Sequence, residues 1–188
     1  MPSLWPVLPG VPEGLRYVPD FLTEADHDAL VAQIERLPFR EVHMHGVVAK
    51  RTVIHYGYDY GYDSWQITPT EALPDFLVPF RARAAAEAGV DAARLAQVLI
   101  ARYPSGAGIG WHRDAPMFGE PVVGISLAGA TVMRFRRGPA RGRETYPLVL
   151  APRSLYILNG PARRDWQHGI AGQNGLRYSV TFRTVRAR

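Results

Sequence analysis

Apolar positions fall at helical spacing only in the first half of the chain. Leu30, Ile34 and Leu37 recur every three or four residues, so a helix is expected from Thr23, whose hydroxyl can cap it, to about Leu37, just before Pro38. A second helix fits residues 74–88, where Pro74 suits a first turn, Pro79 marks a local irregularity and Gly89 follows a run of good helix formers. From Leu95 onward the pattern changes to short runs rich in β-branched and aromatic residues: LAQVLIARY, VVGISLA, TVMRFRR, TYPLVLA, SLYILNG and RYSVTFRTV, separated by Gly/Pro turns. Serial short strands of this kind make a sandwich or barrel rather than alternating βαβ units. The expected fold is therefore mainly β with flanking α-helices, a double-stranded β-helix (jelly roll) that the helices brace. The chain has 188 residues with no internal repeat or linker. It reads as a single domain over 1–188, with an N-terminal elaboration over 1–94 and a jelly-roll core over 95–188. A chain of this length buries roughly 70% of its unfolded surface, enough for a sizeable core.

Residues 40–66 fit neither pattern, being neither apolar nor regularly helical, yet they contain HYGYDYGYDSW. If that stretch is extended, Tyr56, Tyr58, Tyr60 and Tyr62 share one face, because side chains alternate with period two. Stacked tyrosines suit flat bases, and they equally suit packing of a lid onto a sheet.

Composition removes several chemistries. There is no cysteine, which excludes disulfides, zinc–thiolate sites, iron–sulfur clusters and thiol nucleophiles, so any metal must sit on His, Asp or Glu. The N-terminus MPSLWPVLPG has no basic-then-apolar leader and no stretch approaches about 20 apolar residues, so a cytoplasmic, membrane-free protein, acting as a monomer, is the expectation. Lys50 is the only lysine among 22 basic residues, and the formal net charge is +5. Arginines 134, 136, 137, 141, 143, 153, 163 and 164 face a single acid, Glu144, within the same span. Such a field attracts polyanions, although it could also be a solvated face.

The candidate chemistry lies in the last 80 positions. His112 and Asp114 stand two apart after YPSGAGIGW, so in an extended segment at the mouth of a strand both point the same way. His168, in WQHGI, could close the site from a distant strand; otherwise it is a histidine satisfied by a backbone carbonyl. Two imidazoles and one carboxylate that leave positions open form the facial triad of non-haem iron(II) oxygenases. In RYSVTFR, the residues Arg177, Ser179, Thr181 and Arg183 share one strand face, and Tyr178, Val180 and Phe182 share the other. Two half-buried guanidiniums need anionic partners, and residues 166–188 contain no Asp or Glu. A bound carboxylate answers that need, with a distant acid as the alternative.

The span from about Leu99 to Arg186 resembles the catalytic core of the AlkB family of iron(II)/2-oxoglutarate-dependent dioxygenases, whose pattern H-x-D…H…R-x-N-x-T-F-R it nearly reproduces. Ala101, Ser179 and Pro116 depart from that pattern. The segments GxGI, PRSLYIL and HYGYDY are similar to a branch that hydroxylates the tRNA wobble uridine. The resemblance implies iron(II) on His112, Asp114 and His168, and 2-oxoglutarate held by Arg177 with Tyr103, Ser179, Thr181 and Arg183, with dioxygen as second co-substrate. It also implies that residues 40–66 form a nucleotide-recognition lid, with His55, Tyr56, Tyr58, Tyr60 and Trp65 as substrate residues. Arg51, Arg113, Arg134 and Arg136 are the candidate nucleic-acid contacts. The activity implied is oxidative dealkylation of N-methyl and related lesions in bases of single-stranded DNA or RNA, releasing aldehyde, succinate and CO2. One alternative is hydroxylation of a modified tRNA base or a protein side chain by the same chemistry, and another is a non-catalytic β-barrel that binds nucleic acid. A zinc hydrolase is disfavoured, because no HExxH-type glutamate accompanies the ligands.

Overall fold

The computed structural model describes residues 10–44, 46–61 and 66–186. In chain order the elements are β1 (Leu15–Val18), α1 (Glu24–Ile34), β2 (Arg40–Met44), β3 (Val47–Tyr56), β4 (Tyr58–Tyr60), β5 (Ile67–Pro69) and α2 (Val78–Ala88). There follow β6 (Gln97–Tyr103), β7 (Ile109–His112), β8 (Phe118–Ala128), β9 (Thr131–Arg137), β10 (Glu144–Leu150), β11 (Leu155–Leu158), α3 (Gly160–Arg164), β12 (Gln167–Ile170) and β13 (Arg177–Val185). A seven-stranded sheet in the order β1-β11-β8-β13-β6-β3-β2 faces a four-stranded sheet in the order β10-β9-β12-β7. The chain is mostly β, and this pair of facing antiparallel sheets is the expected jelly roll. Among the described residues no helix is long and apolar enough to cross a membrane.

Each helix differs from its sequence expectation for a local reason. Thr23 caps α1 by accepting from the Asp26 amide at 3.1 Å. The helix stops at Ile34 rather than Leu37, and Arg36 and Leu37 close tighter bonds to Gln33 and Ile34. A residue before proline disfavours the α region, so Pro38 tightens the last turn. The second helix begins at Val78 after a 3-10 turn at Asp75–Leu77, which places Pro79 in the first α-helical turn, where its missing N–H costs nothing. Gly89 ends it at φ +69°.

The main core lies between these helices and the large sheet. Leu30 and Ile34 of α1, and Leu77, Ala84 and Ala85, meet Val98 and Ile100 of β6 and Val123, Ile125 and Leu127 of β8. Tyr178, Val180 and Phe182 of β13 join them from the central strand. The opposite faces of these strands look at the small sheet, where Met133, Phe135, Leu148, Leu150, Trp166 and Ile170 pack around the closed end of the roll. Period-two alternation thus gives β13 one face to the core and one to the space between the sheets.

Segment 40–66 contributes more to the main sheet than its polar composition suggested. Residues 52–56 of β3 pair with residues 98–102 of β6, so the two halves of the chain share one sheet. The four-tyrosine face does not form. Tyr56 belongs to the helix-side core, whereas Tyr60, beyond Gly57 at φ +76°, packs on Phe118 at 5.8 Å. A Cβ on Gly57 would run into the Ala96 carbonyl, so the turn requires glycine. Tyr62 and Trp65 lie outside the described residues.

Candidate active site

A cavity of 530 Å³ opens between the two sheets. His112 ends β7 and His168 lies in β12, directly opposite one another in the ladder. Their ring centroids lie 4.4 Å apart with the planes tilted by 58°, and Phe135 of the next strand backs His168 at 5.8 Å. Asp114, two residues past His112, is buried, with Oδ2 3.8 Å from His168 Nε2. All three line the cavity.

Charge states follow from this setting. Burial would raise the Asp114 pKa, but the Arg183 guanidinium, the two histidines and Arg163 outweigh it and hold the carboxyl well below the usual carboxylate range. Burial pushes His168 down to about 3, with His112 and nearby arginines adding to it against Asp114. His112 is lowered as well, chiefly by burial. Its Nδ1 lies 2.9 Å from the Gly110 carbonyl, which fixes Nδ1 as the donor and leaves Nε2 with a lone pair. Two neutral imidazoles and an ionised carboxylate are the donor set that a divalent iron site needs.

Among the described residues no three His, Asp or Glu side chains are gathered tightly enough to hold a metal as they stand. The reason is visible in the contacts. Asp114 Oδ1 takes both Nε and Nη2 of Arg183 at 2.8 Å, so the carboxylate is drawn to the arginine. His168 Nδ1 is buried with no partner. Oδ2 and the imidazole lone pairs are uncommitted donors, and the three residues fit a metal ion on the chemistry and proximity of those atoms.

The four polar residues of β13, Arg177, Ser179, Thr181 and Arg183, all line the cavity. The two arginines differ. Arg183 finds the distant acid Asp114, donates from Nη1 to Gln97 Oε1 at 3.3 Å and lies over the Phe118 ring at 4.9 Å. Arg177 is 1% exposed, and its Nε donates to Ser126 Oγ at 3.2 Å while the guanidinium sits 5.2 Å over the Tyr103 ring. Its Nη1 has no partner, and no carboxylate pairs with it among the described residues. Burial pushes its pKa down, yet a guanidinium stays charged. A buried cation without a counter-ion is costly, so this arm of the cavity is shaped for an anion.

Other predicted residues are scattered. Arg51, Tyr60 and Arg113 line the cavity; His55 and Tyr56 do not. His55 is instead buried beside Asp59 at 3.3 Å and Gln97 at 3.5 Å. Tyr58 is half-buried in β4. Arg134 and Arg136 sit on the outer face of the small sheet, and the arginine run is less free than its sequence suggests: Arg137 pairs with Glu144, Arg153 with Asp20 and Arg164 with Glu120. Arg163 is buried, donating to the Ala115 and Phe118 carbonyls. Sequence reasoning passed over Gln97, Ser126 and Tyr156. The first two are polar residues inside otherwise apolar strands, which was the available signal. Tyr156 lines the cavity, its hydroxyl meeting Thr181, and burial pushes its pKa up to about 12.

Two sheets framing a cavity with this donor set define an oxygenase-type centre. The 2OG-Fe(II) oxygenase superfamily model matches residues 14–183, and the chain belongs to that superfamily, whose cofactors are iron(II), 2-oxoglutarate and O2. Its relatives are AlkB homologues. One is the Arabidopsis thaliana "Alkylated DNA repair protein ALKBH8 homolog", 31% identical over 92% of this chain and 58% of that protein. Another is the Xenopus tropicalis "tRNA (carboxymethyluridine(34)-5-O)-methyltransferase alkbh8", 30% identical over 86% of this chain and 26% of that protein. The chain thus spans between about a quarter and three fifths of these relatives. The solved structure of OsALKBH1 superposes with a TM-score of 0.73 at 16% identity, covering 93% of this chain and 97% of that one.

Proposed function

We propose that the chain is a dioxygenase that oxidatively dealkylates bases in single-stranded nucleic acid. The observation that carries this is the buried Arg177, which has no acid partner among the described residues, in the same cavity as an ionised Asp114 and two neutral histidines. His112, Asp114 and His168 are the residues to hold iron. Bound iron(II), with 2-oxoglutarate and dioxygen, supplies the oxidising power that places a hydroxyl on an alkyl carbon, while the co-substrate becomes succinate and CO2. The chain does the rest. Arg177, aimed by Ser126 and Tyr103, takes the distal carboxylate of 2-oxoglutarate as a charge-assisted pair. Arg183 keeps Asp114 ionised and turned. Tyr60 and Phe118 wall the side from which a base would enter. A hydroxylated carbon bonded to nitrogen then breaks its C–N bond, leaving N–H and an aldehyde. A base in a loop or single strand enters without the unpairing that a duplex demands.

The name of the DNA-repair relative supports dealkylation. That of the tRNA-modifying relative points to tRNA as the substrate, and with the same oxygenase chemistry this gives a second reading, hydroxylation of a tRNA base at a carbon-bound position, which would release no aldehyde. One experiment tests both. Succinate formation is followed with iron(II) in air, with and without methylated single-stranded DNA and tRNA, against His168→Ala. Iron-dependent succinate that rises with nucleic acid and is matched by formaldehyde is expected, and the variant should lose it. Stimulation by tRNA without formaldehyde would replace the first reading by the second; no stimulation by any nucleic acid would end both.

A further inference from the structure

β7 presents His112 to the cavity and Trp111 to the rim. The pairing of β12 with β7 shifts register between His168 and Ile170, and such a bulge turns the neighbouring side chain out of the regular pleat. Trp111 is 40% exposed, although it also borders the cavity. An indole left this open at a cavity mouth is held in place: Arg136 lies 4.3 Å over its ring, and Arg136 Nε is itself fixed on Gln167 Oε1 at 2.8 Å. Arg134 projects from the same face of β9 as Arg136, opposite Gly169, which offers no side chain to cover it. Arg134 is exposed and has no hydrogen bond or ion pair among the described residues, whereas Arg137, Arg153 and Arg164 are each matched to an acid. Arg134 therefore carries an uncompensated charge beside a held, open aromatic at the cavity mouth.

We propose that Trp111, clamped by Arg136, is the stacking platform for the nucleotide next to the target base in a single strand, with Arg134 taking that nucleotide's phosphate. This rests on the nucleic-acid reading above. Base stacking on an aromatic tolerates any sequence, and a ring already immobilised by a cation binds without losing its own freedom. Successive side chains of β7 then divide the work: His112 serves the reacting base inside the cavity and Trp111 its neighbour outside.

The test is the affinity of short single-stranded DNA and RNA, each carrying one N-methylated base, measured by fluorescence anisotropy on the full chain. Trp111→Ala should weaken binding roughly five- to a hundredfold, and Trp111→Phe should restore most of it. On strands with an abasic residue beside the methylated base, wild type and Trp111→Ala should bind alike. Arg134→Ala should lower the slope of log affinity against log salt by roughly 0.7, one phosphate's worth on a single strand. Trp111→Ala that binds like wild type, or a loss that persists on abasic strands, would overturn the platform while the wild type's stimulation by nucleic acid leaves the proposed function standing. A wild type that binds neither strand and is stimulated by neither would overturn both.

Discussion

Arg177 and Arg183 leave the same face of one strand and meet opposite fates, because among the described residues only Arg183 reaches an acid. Asp114 answers Arg183; among the described residues no acid answers Arg177, and its proposed partner is the carboxylate of 2-oxoglutarate. Arg177→Ala is therefore expected to raise the 2-oxoglutarate requirement roughly ten- to a hundredfold, the worth of one charge-assisted contact, with the metal retained; steady-state kinetics and metal analysis check it. The polar face of RYSVTFR was legible in the sequence because alternation alone displays it. The division between the arginines was not, since Asp114 stands 69 residues from Arg183. A second residue-scale expectation concerns His55. Burial, with Arg183 and Arg40, pushes its pKa down to about 4 against the pull of Asp59. Its folded pKa lies below the unfolded value near 6.5, so the unfolded chain binds the proton first. Stability that is full above about pH 6.5 should fall as the pH drops towards 4, by up to roughly 3 kcal/mol. His55→Gln should flatten that stretch of the denaturation-against-pH curve in the metal-free protein, and an unchanged slope would show that His55 is not responsible.

The elements that carry the site are among the shortest in the molecule. β7 and β12 have four residues each, too few for a periodic signal, and the sequence revealed only that something extended ended at His112 and passed through His168. The long strands β6, β8, β9, β10 and β13 were readable from β-branched alternation. β3 was masked by its polar neighbours, although Val53, Ile54 and Tyr56 bury it. Packing between elements also decides which side chains reach the cavity. Gly124 of β8 faces Tyr156 of β11, and the tyrosine ring lies where a Cβ on Gly124 would be. Gly124→Ala should therefore push Tyr156 towards the cavity, lower the melting temperature by several degrees and raise the 2-oxoglutarate requirement. Calorimetry and kinetics on the purified variant would check this, and an unchanged melting temperature would mean that the ring has room to retreat. The stack from Tyr60 through Phe118 and Arg183 to Asp114 links the β4–β5 ribbon to the centre, so Tyr60→Ala should impair nucleic-acid oxidation more than uncoupled 2-oxoglutarate use.

Seen whole, the molecule wears its positive charge unevenly. Two arginines of the run, Arg153 and Arg164, are neutralised by acids that sequence distance concealed, Asp20 from before α1 and Glu120 from β8. The cavity keeps more of its charge: among the described residues that line it, Lys50, Arg113, Arg177 and Arg183 face a single acid, Asp114. A dication entering such a space alone is repelled, and a dianion is drawn in. Each ligand therefore lowers the electrostatic cost of the other, and thermodynamic reciprocity makes the two enhancements equal. Iron(II) affinity should rise when 2-oxoglutarate is present, and 2-oxoglutarate affinity by the same factor when iron is; anaerobic titration calorimetry of each in the presence of the other measures both. Iron content in this protein would then track the supply of its co-substrate: a chain starved of 2-oxoglutarate releases its metal rather than keeping it poised to oxidise the protein itself.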